Sequence, residues 1–114
     1  MKKIEIIKDK DLFQDIIHTG KFNKNKYYVV YYKKLTNENN LPKFGVAVSK
    51  KLGHAVTRNK LKRQTKEIID NMRNLFNNDY FYIIMLRKEL NNIDFQKMND
   101  SLKQLMEEIY EKNN

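Results

Sequence analysis

Residues 49–67 read SKKLGHAVTRNKLKRQTKE, and no carboxylate occurs anywhere between Glu38 and Glu67. The same interval carries Lys43, Lys50, Lys51, Arg58, Lys60, Lys62, Arg63 and Lys66, a concentrated positive field. Gly53 gives the backbone freedom to leave one element and enter the next. From about Ala55 to Leu75 or Phe76 the residues suit a helix. At about 100° per residue, Leu61, Thr65, Ile68, Met72 and Leu75 share one side, and Asn59, Lys62, Arg63, Lys66 and Arg73 share the other. One side can pack on a core while the opposite side offers guanidinium forks and ammonium groups to a polyanion. The plain alternative is a solvated basic face, because charge alone is a sequence-independent footprint.

Composition narrows the field. A chain of 114 residues has room for one modest hydrophobic core, so one domain spanning 1–114 is expected. Its net charge of +9 at pH 7 calls for an anionic partner. There is no cysteine, hence no disulfide framework and no thiolate nucleophile. The histidines, His18 and His54, are too few and too dispersed for a zinc cluster; His54 reads as a neutral loop residue. No apolar run approaches the roughly 18 residues of a bilayer span, and MKKIEIIK lacks the apolar region of a signal peptide. A cytoplasmic protein is expected.

Flanking segments supply the remaining elements. Lys10 to Thr19 reads as a short helix, with Asp9 or Asp11 as N-cap and Gly20 as a left-handed stop. Leu12, Phe13, Ile16 and Ile17 share its apolar face. KYYVVYYKKL, residues 26–35, is dense in aromatic and β-branched side chains and suits a strand. Alternation places Tyr27, Val29 and Tyr31 on one face and Tyr28, Val30 and Tyr32 on the other. TNENNLP, residues 36–42, reads as a polar turn. Phe44 to Ser49 alternates bulky Phe44, Val46 and Val48 with small Gly45, Ala47 and Ser49, a strand with one nearly bare face. YFYIIML, residues 80–86, suits a central strand covered on both sides. Asp94 then caps a final helix with an apolar stripe of Phe95, Met98, Leu102, Leu105, Met106 and Ile109. The acidic EEIYEKNN end should face away from a polyanion. The order is helix, strand, strand, helix, strand, helix, which predicts an α+β two-layer sandwich built on a mixed sheet.

The spacing S-K-K-x-G-x-A-V-x-R-N-x-x-K-R, carried by Ser49, Lys50, Lys51, Gly53, Ala55, Val56, Arg58, Asn59, Lys62 and Arg63, resembles the signature of the bacterial ribonuclease P protein subunit. The resemblance extends over most of the chain. It implies a mixed sheet of about four strands with three helices and a left-handed βαβ crossover through the basic helix. It also implies an RNA-binding subunit without catalytic residues or a cofactor of its own. Such a subunit assists a catalytic RNA in endonucleolytic removal of the 5′ leader from precursor tRNA, with Mg²⁺ held largely by the RNA. The expected partners are that catalytic RNA and precursor tRNA. Carried onto this chain, the resemblance assigns Lys50, Arg58, Asn59, Lys62, Arg63 and Lys66 to the catalytic RNA. It assigns Phe13, Ile17, Tyr27, Val29, Tyr31, Ala47 and Lys51 to a cleft for the leader. The chain departs from the family at Ile17, where many relatives carry an aromatic, and in the amino-terminal lead, where Ile4, Glu5, Ile6 and Ile7 replace basic residues. A ribosomal-protein-like RNA-binding module is the rival reading in the binding class. An intrinsic metallonuclease is the rival among enzymes, disfavoured because the basic segment offers no carboxylate set.

Overall fold

The computed structural model describes residues 1–35 and 40–113. Helix α1 spans Lys10–Thr19, the bounds expected from the sequence, and the Asp9 carboxylate caps it by accepting the amides of Asp11 and Leu12 at 2.9 and 3.3 Å. Gly20 ends the helix in a different way from the expected left-handed stop. Its backbone is extended, at φ −77 and ψ 170. A Cβ there would stand 2.5 Å from the Ile16 carbonyl oxygen and 2.9 Å from that of Tyr32. Close approach of two carbonyls, not positive φ, is what requires glycine at this position.

Four strands follow: β1 (Lys21–Lys24), β2 (Tyr28–Lys34), β3 (Lys43–Val48) and β4 (Tyr80–Leu86). They form one sheet in the order β1-β2-β4-β3. The β1/β2 and β2/β4 pairs are antiparallel and β3/β4 is parallel, so the sheet is mixed, as expected. β1 is the strand that sequence periodicity did not locate. Much of the expected polar turn, residues 36–39, lies outside the described residues.

The parallel pair is joined through α2 (Ala55–Asn71). α2 ends earlier than its apolar period suggests, because Met72 leaves helical geometry at φ −131 and ψ 35 and a 3₁₀ turn, Arg73–Leu75, follows. Arg73 therefore leaves the polar face on which helical spacing had placed it. Its guanidinium pairs with the buried carboxylate of Glu5, donates to Asp70 Oδ1 at 3.1 Å, and lies 5.5 Å from the centre of the Phe44 ring. α3 (Phe95–Asn113) starts where Asp94 Oδ1 accepts the Lys97 amide at 2.9 Å.

Alternation along the strands sorts the side chains into two cores. Tyr28, Val30, Phe44, Tyr82, Ile84 and Leu86 point to the face covered by α2 and α3, against Leu61, Ile68, Leu102 and Met106. Tyr28 ties the layers together: its hydroxyl donates to the Met98 carbonyl of α3 at 3.2 Å. On the opposite face Phe81 and Ile83 meet Ile16, Leu12, Phe13 and Ile17 of α1. α1 covers only part of that face, adding a partial third layer to the expected two-layer sandwich. The amino-terminal lead closes the β3 edge, where Ile6 bridges to Phe44 and the Ile7 amide donates to the Phe44 carbonyl at 2.8 Å.

Candidate nucleic-acid interface

Strand register determines what α1 leaves uncovered. Directly paired residues project from the same face of a sheet. One row on the α1 side runs Phe22, Tyr31, Ile83, Gly45, and the next runs Lys24, Val29, Met85, Ala47. α1 sits on the first row. The Phe13 ring lies so close to the β3 backbone that a Cβ on Gly45 would stand 2.6 Å from Phe13 Cε2. The bare face of β3 is thus used, in part, to seat this helix. The second row stays open. It floors a groove of about 510 Å³ lined by Phe22, Lys24, Val29, Tyr31, Ser49, Lys51, Met85, Leu86, Arg87, Lys88 and Glu89. Phe22 is 57% exposed, a large value for an apolar ring, and its centroid lies 5.9 Å from that of Tyr31 at a 45° tilt.

Of the residues expected in a cleft, Val29, Tyr31 and Lys51 line this groove. Ala47 occupies its row, paired with Met85. Phe13 and Ile17 share the smaller apolar cluster with Tyr31 and are partly buried there. Tyr27 goes elsewhere: it packs against the larger core, with the Lys26 ammonium 6.0 Å from its ring. Phe22, Lys24, Met85, Arg87, Lys88 and Glu89 were not anticipated. Met85 was open to discovery from the alternation of YFYIIML, whereas the others needed the register of β1 and the turn after β4.

Asn25 holds that end of the groove in shape. Its side-chain carbonyl accepts the amides of Tyr27 and Tyr28, both at 2.9 Å, and its amide donates to the Ser101 carbonyl of α3 at 3.0 Å. The Asn25 backbone carbonyl accepts from Arg87 Nη1 at 3.0 Å. One asparagine thereby positions β1, the start of β2 and a groove cation together.

α2, the helix of the basic segment, lies across the sheet from the α1 side, while Ser49 and Lys51 just before it line the groove. Ser49 Oγ accepts the Lys51 amide at 3.2 Å and starts a 3₁₀ turn, Lys50–Leu52. Gly53 then takes φ 114, a conformation L side chains rarely adopt, and α2 begins. Leu61, Thr65, Ile68 and Ile69 are buried. Lys50, Asn59 and Arg63 are exposed, and Arg58, Lys62 and Lys66 are partly so. Among the described residues none of these cations forms an ion pair. Their charge is thus available to an external anion, and the Arg58 Nε donor is buried with no partner. No helix among the described residues is long and apolar enough to cross a membrane.

A mixed sheet with a basic helix on one face, whose cations form no ion pair among the described residues, and an aromatic groove edged by lysine and arginine on the other, defines a small basic α+β protein with two polyanion-complementary surfaces. The chain belongs to the ribonuclease P protein family: the Ribonuclease P family model matches residues 1–110. It is 35% identical over 102 residues to the ribonuclease P protein component of Carboxydothermus hydrogenoformans, covering 90% of this chain and 88% of that one. With the component of Mycoplasma mycoides it shares 36% identity over 110 residues, covering 96% and 99%. The fold matches the RNase P protein of Staphylococcus aureus with a TM-score of 0.80 at 29% identity, covering 90% and 93% of the two chains. It matches that of Thermotoga maritima with a TM-score of 0.74 at 30% identity, covering 82% and 87%. Family membership implies partnership with an RNA subunit and a part in tRNA processing by an endoribonuclease.

Proposed function

We propose that this chain docks on the catalytic RNA of ribonuclease P through Lys50, Arg58, Asn59, Lys62, Arg63 and Lys66, and guides the 5′ leader of precursor tRNA through the groove beside Tyr31. The observation that carries the reading is the groove itself, where two tilted aromatic rings stand among four cations on the sheet face opposite α2. Rings accept stacked bases and cations track a phosphate backbone, which is the chemistry of single-strand binding. Because the two surfaces lie on opposite faces, one molecule can hold catalytic RNA and substrate together. Hydrolysis then belongs to the RNA, with its Mg²⁺. Protein cations that neutralise nearby phosphates help those ions bind. Reconstitution is the direct test: with ribonuclease P RNA and precursor tRNA at low Mg²⁺, the protein should restore cleavage, and a generic RNA-binding module should not.

Two substitutions separate the surfaces. Arg63→Ala with Lys66→Ala should weaken affinity for the catalytic RNA and reduce the slope of log affinity against log salt by about 1 per lost phosphate contact. An unchanged slope in a folded variant would remove α2 as the docking surface. Tyr31→Ala should cost about 1–3 kcal/mol of affinity for precursor tRNA with a leader of several nucleotides. It should change little for mature tRNA or a one-nucleotide leader. Equal losses for all substrates, or a large fall in melting temperature, would make Tyr31 a structural residue and remove the leader from this groove.

A further inference from the structure

Val56 is the most exposed large apolar side chain among the described residues, at 82%. It is the second residue of α2, and Ala55 before it is exposed as well. Helical spacing sets Val56 beside Asn59 and Lys60, at (i, i+3) and (i, i+4), and one further turn reaches Arg63. All three are exposed, and neither cation forms an ion pair among the described residues. Val56 therefore heads the outer crest of the basic helix. Folding gives no account of it there. Leu61, Thr65, Ile68 and Ile69 supply the buried side of α2, and a β-branched side chain is a poorer helix former than alanine.

A single exposed valine is ordinary on a free surface. On a face that receives RNA it has a sharper meaning, because a nonpolar group set against a phosphate displaces water without replacing its contacts. It fits where the ligand is itself nonpolar. The chief such surface in RNA is the face of a base. Paired bases hide theirs in the stack, whereas bases in loops and bulges can be splayed out and met by side chains. Asn59, Lys60 and Arg63 around the valine then serve the phosphates beside that base, which fix position but carry no identity.

We propose that Val56 packs on the face of an unpaired base of the catalytic RNA as α2 docks, adding to phosphate binding a nonpolar contact that only an RNA of the right shape satisfies. The inference rests on the reading of α2 as the docking surface. The test measures affinity of the full chain for ribonuclease P RNA across a salt series, with base-specific chemical probing of the complex at saturating protein. Val56→Ala should weaken binding about tenfold, the scale of two carbon atoms returned to water. The slope of log affinity against log salt should stay unchanged, since no phosphate contact is lost. The melting temperature should hold or rise, because alanine favours the helix. Val56→Thr keeps the shape but replaces a methyl by a hydroxyl and should also bind more weakly, whereas Val56→Ile should bind at least as tightly as valine. In probing, one unpaired base protected by the unsubstituted protein should regain reactivity with Val56→Ala. Unchanged affinity in Val56→Ala, threonine binding as well as valine, or protection that survives the alanine would overturn the proposal. So would a loss accompanied by a lower melting temperature or a changed salt slope. The variant Arg63→Ala with Lys66→Ala separates the two readings. If it binds normally, the docking surface falls and this proposal with it; if it weakens binding while Val56→Ala does not, only the role of Val56 falls.

Discussion

Arg73→Ala should lower unfolding stability by about 3–5 kcal/mol while leaving the RNA affinity of the folded fraction unchanged. Glu5 is 1% exposed, and the Arg73 guanidinium is its ion-pair partner. Among the described residues, the other polar contact to its carboxylate is the Lys2 amide, which donates to Oε1 at 3.0 Å. Removing the guanidinium leaves a buried charge that one neutral donor does not offset. The arginine also covers the Phe44 ring, so the loss includes packing. Urea unfolding measures the effect. Adding Glu5→Gln to Arg73→Ala should recover part of the loss, because no uncompensated charge then remains. If Arg73→Ala instead weakened RNA binding with stability intact, Arg73 would belong to the polyanion-facing side of the basic segment after all.

The buried tyrosines make stability fall on the alkaline side. Burial pushes the Tyr82 phenol up to about 12, although the Asn77 amide donating to its oxygen at 2.8 Å works the other way. Burial also pushes Tyr28 up, opposed in part by the neighbouring Thr65 hydroxyl. Both raised values mean that the folded state holds protons that the unfolded chain releases above its ordinary tyrosine pKa near 10. The stabilisation is complete below about pH 10 and is lost as pH rises through the folded values. The expected slope is about 1.4 kcal/mol per pH unit for each tyrosine. Denaturation curves from pH 9 to 12 test this. Tyr82→Phe should remove one tyrosine's share of the slope, at the cost of an unsatisfied Asn77 amide at all pH values. A slope identical to that of the unsubstituted protein would mean that Tyr82 ionises as readily folded as unfolded.

Strong local patterns were legible without coordinates. The ends of α1 and β4, the apolar stripe of α3 and the division of β2 into odd and even faces follow from periodicity and caps, and the fold agrees with each. β1 was not legible, because Lys-Phe-Asn-Lys has no apolar alternation and becomes a strand only by pairing with β2. The misplacement of Arg73 came from extending helical spacing past Met72, where the backbone had already turned. The same limit hid much of the groove. Phe22, Arg87 and Glu89 lie far apart in sequence and meet through register, which a single chain of letters does not display. Tyr27 failed in the opposite sense, since alternation was carried one residue beyond the end of the strand.

The two edges of the sheet are protected by different means, and the difference bears on self-association. An uncovered strand edge is a template for another chain. The β3 edge is blunted by the amino-terminal lead, whose Ile6 bridge and Ile7 amide occupy part of the ladder. Among the described residues no segment pairs with the outer edge of β1, but exposed Lys21 and Lys24 bring like charges together whenever two copies approach strand to strand. This second guard is electrostatic and thins with salt, from a Debye length of about 8 Å at physiological strength to about 3 Å at 1 M. Concentrated salt therefore exposes β1, and not β3, as the weak side against aggregation.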